Sequence, residues 1–180
     1  MSFKKNKLIL YIHQFIILMI IFSILFAIYF LFNNNGNLLN YLYEPIFISN
    51  NHHYQLYLVH TIGYIILLTI FATSYLGIPF TCLLITYRIL AIIYSLAKIG
   101  TIQLNLYLIF VIIIPQIILE LLITYVTSFY SIRFSLQTFL LNFVFQENYR
   151  FKELINYFLN DYIMSILLVF ISIVIKIYLI

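Results

Sequence analysis

Residues 56–97 read LYLVHTIGYIILLTIFATSYLGIPFTCLLITYRILAIIYSLA, a stretch of more than forty residues that is almost entirely apolar. A helix of about 20 apolar residues is enough to cross the roughly 30 Å hydrocarbon layer of a bilayer. A single helix over the whole stretch would be about twice too long, so the chain must turn within it. Gly77-Ile78-Pro79 is its one strong helix-breaking sequence. We therefore predict a hairpin of two membrane-spanning helices, over residues 56–75 and 79–97, with Pro79 opening the second helix.

The composition of the whole chain is that of a membrane protein. Of its 180 residues, 65% are hydrophobic and 8% are charged, and the mean hydropathy is +1.10. Typical soluble domains are about half apolar and about a quarter charged, and a small soluble domain has too much surface to hide such an excess. The formal net charge of +4 comes from nine scattered Lys and Arg residues, unlike the clustered basic patches of nucleic-acid-binding proteins. The composition argues against a soluble enzyme or a nucleic-acid-binding module.

Three further apolar runs predict three more membrane-spanning helices. Residues 8–32 form a run too long for the roughly 7–15-residue apolar core of a signal peptide, and no cleavage-site sequence follows. Residues 104–130 contain Pro115-Gln116, where we expect a kink or local unwinding. Residues 162–180 carry Lys176 near their end, from where its side chain is expected to extend to the headgroups. The predicted fold is all-α: the whole chain, residues 1–180, forms one membrane domain of five helices.

A cytoplasmic amphipathic helix is predicted between the fourth and fifth spans, within residues 147–161. Its apolar residues recur at helical spacing, which is typical of a helix lying at the membrane surface: Phe151, Leu154, Ile155, Phe158 and Leu159. Cytoplasmic segments of membrane proteins are enriched in Lys and Arg. Five spans with the N-terminus inside put most of these residues on the cytoplasmic side. We predict a multi-pass protein of the cell membrane with a cytoplasmic N-terminus and an external C-terminus.

Two charged residues, Arg88 and Glu120, lie deep inside the predicted third and fourth spans. Arg88 is nine residues from Pro79 and Glu120 is ten from Tyr130, so at about 1.5 Å per residue both lie about 14–15 Å from the same membrane boundary. A charge at that depth is costly unless it is paired or hydrated, and equal depth permits an ion pair. We predict a structural pair that clamps the two helices together. A conduction or coupling site is the alternative.

The other polar residues form no recognisable catalytic or metal-binding pattern. His52, His53 and His60 lack a companion thiol or second carboxylate, which favours a solvated loop over a metal site. The chain has five Asp and Glu residues in all, and it lacks the short motifs of hydrolases, metalloproteases and phosphate-binding loops. Cys82 is the single cysteine and cannot form an internal disulfide. We predict no enzymatic activity, no cofactor and no metal.

Several short motifs follow one another between His52-His53 and about residue 140. They are Gly77-Ile78-Pro79 at the hairpin, Tyr87-Arg88 in the third helix, Ile114-Pro115-Gln116 in the fourth helix, and Arg133-Phe134-Ser135-Leu136 towards the end. In order and approximate spacing this region resembles the stage II sporulation protein M family of Gram-positive bacteria. The chain departs from that family in a third helix almost free of glycine and in a shorter loop at residues 33–56. Glu120 does not map onto the sporulation branch, although related membrane proteins carry an acid after the same proline.

The resemblance implies a five-span membrane scaffold that has no catalytic residues of its own. Such a protein acts in the mother-cell membrane during engulfment and holds two cell-wall hydrolases, stage II sporulation proteins D and P, which thin the septal peptidoglycan. The expected partners are therefore the lipid bilayer and membrane-anchored wall hydrolases, and not nucleic acid. Two other interpretations stay open. One is a small transporter subunit, such as the substrate-binding component of a vitamin importer, and the other is a respiratory-complex subunit encoded in an organellar genome.

Overall fold

A computed structural model of the chain describes residues 2–33, 44–47, 53–74, 76–100, 106–139, 163 and 166–177. Every regular element within these residues is a helix. They are α1 (Ser2–Asn33), α2 (His53–Ala72), α3 (Gly77–Gly100), α4 (Leu106–Leu108), a π-helical turn (Ile109–Ile113), α5 (Ile114–Phe139) and α6 (Ile166–Ile177). The predicted all-α class is therefore confirmed for the described part of the chain.

Four helical segments are long and apolar enough to cross a membrane. They are Leu8–Phe32, Gln55–Ala72, Gly77–Gly100 and Leu106–Phe139, and they are compatible with a multi-pass membrane protein. α6 is apolar but shorter over its described residues, so the fifth span stays a prediction. The predicted amphipathic helix at 147–161 and the loop residues 34–43 and 48–52 lie outside the described residues.

The turn between α2 and α3 comes earlier than predicted. α2 ends at Ala72, and α3 already begins at Gly77, which makes Pro79 the third residue of the helix, where its missing N–H costs no hydrogen bond. Gly77 packs closely against α5. A Cβ atom there would lie 2.7 Å from the carbonyl oxygen of Phe71 and 2.8 Å from Ser135 Oγ. The close approach of the hairpin to α5 therefore requires glycine at this position.

The fourth span is widened directly before Pro115. Ile109–Ile113 form a π-helical turn, in which the N–H of Ile114 donates to the carbonyl oxygen of Ile109. Pro115 has no N–H of its own, so the wide turn lies where a helical hydrogen bond cannot form. Such single π-helical turns occur frequently at functional sites. α5 then continues to Phe139, nine residues beyond the predicted end of the span.

α5 is amphipathic in the inverted sense, with polar residues on its buried face. These residues recur every three or four positions and so form one stripe: Gln116, Glu120, Thr124, Thr127, Ser128, Ser131, Ser135 and Thr138. α2 and α3 pack against α5, and α1 packs mainly against α3. Small and hydroxyl-bearing residues allow membrane helices to approach closely and to bond across their interface. The stripe thus places the polar part of the molecule at the centre of the bundle.

Candidate functional site: a buried charged cluster around Glu120

Three charged side chains from three helices meet inside the bundle. Arg88 of α3 and Glu120 of α5 form an ion pair, with 2.8 Å between Nη2 and Oε2 and no exposed surface on either side chain. Lys176 of α6 binds the other carboxylate oxygen, with 2.7 Å between Nζ and Oε1. Glu120 therefore uses both of its oxygens to join α3, α5 and α6. We call these three residues the charged cluster.

The prediction that Lys176 extends to the headgroups is wrong. Its side chain is 1% exposed, and its ammonium group also donates to the carbonyl oxygen of Pro45 at 2.5 Å. The same ammonium lies 3.4 Å from the centre of the Tyr57 ring. A Lys side chain extends to the interface when it finds no partner at its own depth, but here Glu120 supplies one. A buried ammonium with a carboxylate, a carbonyl and an aromatic face around it is well compensated for its lost hydration.

The charged cluster contains two cations and one anion. Aromatic rings stabilise both cations. Arg88 Cζ lies 4.5 Å from the centre of the Tyr64 ring, and the Lys176 ammonium lies over the Tyr57 ring. Cation–π contacts gain strength when they are shielded from water. Within the described residues both cations are paired with the same carboxylate, so its removal would take a shared counterion from two buried charges. Glu120 is the residue on which the cluster depends most.

A short non-helical segment, Glu44–Phe47, enters the bundle next to the cluster. Ile46 has no exposed surface, and Phe47 is 5% exposed. The N–H of Phe47 donates to Gln116 Oε1 at 3.1 Å, and Gln116 Nε2 donates to the carbonyl oxygen of Phe47 at 3.0 Å. Non-helical backbone within a membrane protein is tolerated where the protein itself satisfies its polar groups. The side-chain amide of Gln116, at the kink predicted from the sequence, satisfies both the backbone N–H and the carbonyl oxygen of Phe47.

Two further contacts, made by Glu44 and Pro45, hold the Glu44–Phe47 segment in place. Glu44 forms an ion pair with Lys98 in the last turn of α3, where the Lys98 side chain is 57% exposed. The Pro45 carbonyl oxygen accepts the hydrogen bond from Lys176 described above. The segment is thus held by side chains of α3, α5 and α6. It connects the surface of the bundle to the charged cluster.

α2 is hydrogen-bonded to α6 beside the cluster, where the Tyr57 ring packs edge-on against Phe47 with 6.5 Å between the ring centres. The Tyr57 hydroxyl lies 2.9 Å from Ser172 Oγ, and both groups are buried. Sequence reasoning missed Lys176, Tyr57 and Ser172 as members of the site. Ser172 and Lys176 are four residues apart and so share one face of a helix. This spacing could have indicated from the sequence that the last span has a polar face directed into the bundle.

The described residues offer little else that resembles a ligand site. Within them, no group of three or more His, Cys, Asp or Glu side chains could hold a metal ion. A cavity of about 130 Å³ lies between α2 and α6, with a lining that is wholly apolar: Leu58, Ile62, Ile65, Ile166, Val169, Phe170 and Ile173. Such a cavity suits hydrocarbon, such as part of a lipid chain, and has no group to orient a polar substrate.

Comparison of the chain with models of known protein families, with characterised proteins and with solved structures gave no match in any of the three. Among the described residues, the charged cluster and the Glu44–Phe47 segment are the features that bear most directly on function. Chemically, this arrangement can lock three helices and a loop together. An ionisable residue inside a membrane protein is also a candidate for ion or proton handling.

Proposed function

We propose that the chain is a non-catalytic membrane scaffold that resembles stage II sporulation protein M. It recruits or localises membrane-anchored cell-wall hydrolases, stage II sporulation proteins D and P, for septal peptidoglycan thinning during engulfment. The observation that carries the scaffold role is the fixed position of Glu44–Phe47. Side chains of three helices bind this segment in the middle of the loop between α1 and α2. In this proposal, residues 34–43 and 48–52, which adjoin the fixed segment in the sequence, contact the partner.

The choice of partner rests on the sequence resemblance. Support comes from the structural positions of the residues that carry it. Gly77 lies where the hairpin approaches Ser135 of α5 closely, Arg88 belongs to the charged cluster, and Gln116 binds the backbone of Phe47. These motifs therefore coincide with positions where the fold depends on a particular residue. Such a coincidence is expected if the chain shares its architecture with that family.

In this proposal the chain crosses the cell membrane five times, with its N-terminus in the cytoplasm and its C-terminus outside. The amphipathic helix at 147–161 lies on the cytoplasmic surface, and the loop between α1 and α2 lies outside, where wall hydrolases act. The ion pair between Glu44 and Lys98 supports one part of this topology. It joins two segments that the positive-inside rule assigns to the same external side.

The experiment replaces residues 34–43 and 48–52 by neutral Gly/Ser linkers of equal length and keeps Glu44–Phe47. We expect the variant to insert and remain folded, because the anchoring contacts are intact, but to lose the wall hydrolases that co-purify from detergent-solubilised membranes. Mass spectrometry identifies the co-purified proteins. A matched replacement of 147–161, on the opposite side of the membrane, is the control and should keep the hydrolases bound.

In a sporulating host, the loop variant should also stop engulfment at the septum-thinning stage. Retention of the hydrolases by the loop variant would show that the contact lies elsewhere, and the loop mechanism would be wrong. If no wall hydrolase co-purifies with the unmodified chain, the scaffold function itself is wrong.

A small transporter subunit, such as the substrate-binding component of a vitamin importer, is the second candidate. One observation favours it: the non-helical Glu44–Phe47 segment lies beside buried charges. Transporters place substrate and ion sites at such interrupted segments near the middle of the bilayer. Recovery of a membrane-associated ATPase in the same pull-down, in place of wall hydrolases, would support this candidate.

A further inference from the structure

The apolar cavity between α2 and α6 adjoins the hydrogen bond that joins these two helices. Its volume is about 130 Å³, and all of its lining side chains are apolar and come from α2 and α6. Tyr57 and Ser172, whose hydroxyls are bonded, are next in sequence to the lining residues Leu58 and Ile173. The polar contact is thus made beside the cavity, and the cavity itself is lined by hydrocarbon groups.

The cavity has a buried floor and an exposed rim. At the floor, Ile65 and Val169 are 8% and 4% exposed and belong to the hydrophobic core that α2, α5 and α6 share. At the rim, Ile62, Ile166 and Phe170 are 42%, 45% and 61% exposed. Buried and exposed residues around one cavity indicate that it opens sideways, from the core to the outer surface of the bundle.

The opening lies at the depth of lipid chains. The apolar span of α2 begins at Gln55, so Leu58 and Ile65 lie about 4.5 Å and 15 Å further along the helix axis. The hydrocarbon layer of a bilayer is about 30 Å thick, and each leaflet supplies half of it. The cavity therefore faces the acyl chains of the leaflet in which α2 begins.

The chemistry of the lining decides what can fill the cavity. A buried water molecule needs two to four polar partners, and an apolar lining offers none. An apolar cavity of about 150 Å³ stays dry and binds benzene, so this cavity has room for a short hydrocarbon segment. An empty cavity would destabilise the fold, because its lining atoms would lose van der Waals contacts. At this depth, the surrounding hydrocarbon is that of the lipid chains.

We propose that the cavity between α2 and α6 is a binding site for an acyl chain of a bilayer phospholipid. The chain enters from the side, past the exposed rim, and a short segment of it packs against Ile65 and Val169. The site recognises hydrocarbon and makes no demand on the headgroup. A bound chain fills the gap between α2 and α6 and so supports the two helices that bring Tyr57 and Lys176 together at the charged cluster. This site does not depend on which partners the protein binds.

The test is solid-state NMR of the full chain in phosphatidylcholine bilayers, with protonated, ¹³C-labelled valine and alanine methyl groups in an otherwise deuterated chain. The chain has six valines, and Val169→Ile identifies the Val169 signal by its loss. We expect magnetisation transfer from acyl-chain protons to the Val169 methyl groups, which are buried and can meet lipid only inside the cavity. Val59 and Val174, at 69% and 50% exposed, are positive controls, and Ala91, with no exposed surface, is the negative control.

Two results would overturn the proposal. One is the absence of transfer to Val169 in a sample where Val59 and Val174 both receive it, because the cavity would then hold no lipid chain. The other is transfer to Val169 that persists when the acyl chains are deuterated, because its source would then not be the lipid.

A matched pair of variants tests the cavity itself. Ile65→Phe adds volume at the floor and should abolish the transfer to Val169. Ile66→Phe makes the same change one residue later, at a side chain that is 52% exposed and outside the lining, and should leave the transfer unchanged. An unchanged Ala91 signal shows that a variant is folded. If Ile65→Phe does not fold, Leu58→Phe fills the cavity from a partly exposed position and should have the same effect. Transfer to Val169 that persists in a folded, cavity-filling variant would overturn the proposal.

Discussion

Removing the Glu120 carboxylate should destabilise the protein more than removing either of its cationic partners. In Glu120→Gln, Arg88 and Lys176 both stay buried and lose their shared counterion. Breaking a buried ion pair by removing one partner typically costs about 3–5 kcal/mol, and here two cations are affected. We therefore expect a loss in the free energy of unfolding at or above the upper end of that range.

The two cation variants leave a balanced pair behind. Arg88→Met keeps the contact between Glu120 and Lys176, and Lys176→Met keeps the contact between Arg88 and Glu120. Lys176→Met also leaves the Pro45 carbonyl without its buried donor, which costs about 1–3 kcal/mol. Each single cation variant should therefore lose less than Glu120→Gln. The double variant Arg88→Gln with Glu120→Gln should recover only part of the loss, because Lys176 is still buried without a carboxylate.

The assay is thermal or denaturant unfolding of the detergent-solubilised protein, with cellular abundance as a second readout. The triple variant Arg88→Met, Glu120→Gln and Lys176→Met removes every charge of the cluster and should recover most of the loss, since apolar replacements of buried ion pairs are often tolerated. Equal losses in Glu120→Gln and Lys176→Met would contradict the central position of Glu120. Additive losses in the double and triple variants would show that the three side chains do not interact.

Three further predictions concern the hairpin, the loop segment and the topology. Gly77→Ala should lower the free energy of unfolding by about 1–3 kcal/mol because its Cβ overlaps neighbouring atoms, whereas Gly63→Ala, where the Cβ meets nothing within 4 Å, should be neutral or slightly stabilising in the same unfolding assay. Gln116→Leu should cost about 1–3 kcal/mol through lost hydrogen bonds and should make the loop between α1 and α2 more sensitive to protease added to reconstituted vesicles. In a chain without its native cysteine, an impermeant thiol reagent added outside cells should label a cysteine placed at Asn50 and not one placed at Glu147, and the reverse pattern would contradict the orientation.

The lengths of the apolar runs were sufficient to predict most of the helices. A run of about 20 apolar residues has few alternatives to a membrane-spanning helix, and four of the predicted spans appear as helices of adequate length. The end of α5 was less predictable. The apolar run ends near residue 130, but the helix continues to Phe139, and Ser135 near its end donates to the carbonyl oxygen of Ser74 in the α2–α3 hairpin.

The charged cluster was only partly predictable because its members come from distant parts of the chain. Equal depth was enough to place Arg88 opposite Glu120, whose side chains lie 2.8 Å apart. Lys176 is 131 residues away from its Pro45 acceptor and 56 away from Glu120. Whether such a lysine extends outwards or pairs inwards depends on what lies at its depth in the folded bundle, and hydropathy alone does not contain this information.

The Glu44–Phe47 segment shows a second limit of sequence reasoning. Glu44-Pro45 in a polar stretch indicates an exposed loop, and local sequence gives no sign that the next residues are buried. Phe47 is buried because Gln116, 69 residues later, supplies both a donor and an acceptor for its backbone. A non-helical segment can enter a membrane protein when such partners exist, and their existence is a property of the tertiary structure.

The contact between Lys176 and Glu120 can be measured directly by solid-state NMR in bilayers, with ¹⁵N at the lysine side-chain nitrogens and ¹³C at the glutamate carboxyl carbons. A Lys98→Met background removes the contribution of the surface pair with Glu44. We expect a nitrogen-to-carbon distance below about 4 Å, as an ion pair with a short N–H···O bond requires. A distance above about 6 Å would contradict the charged cluster as the centre of this fold.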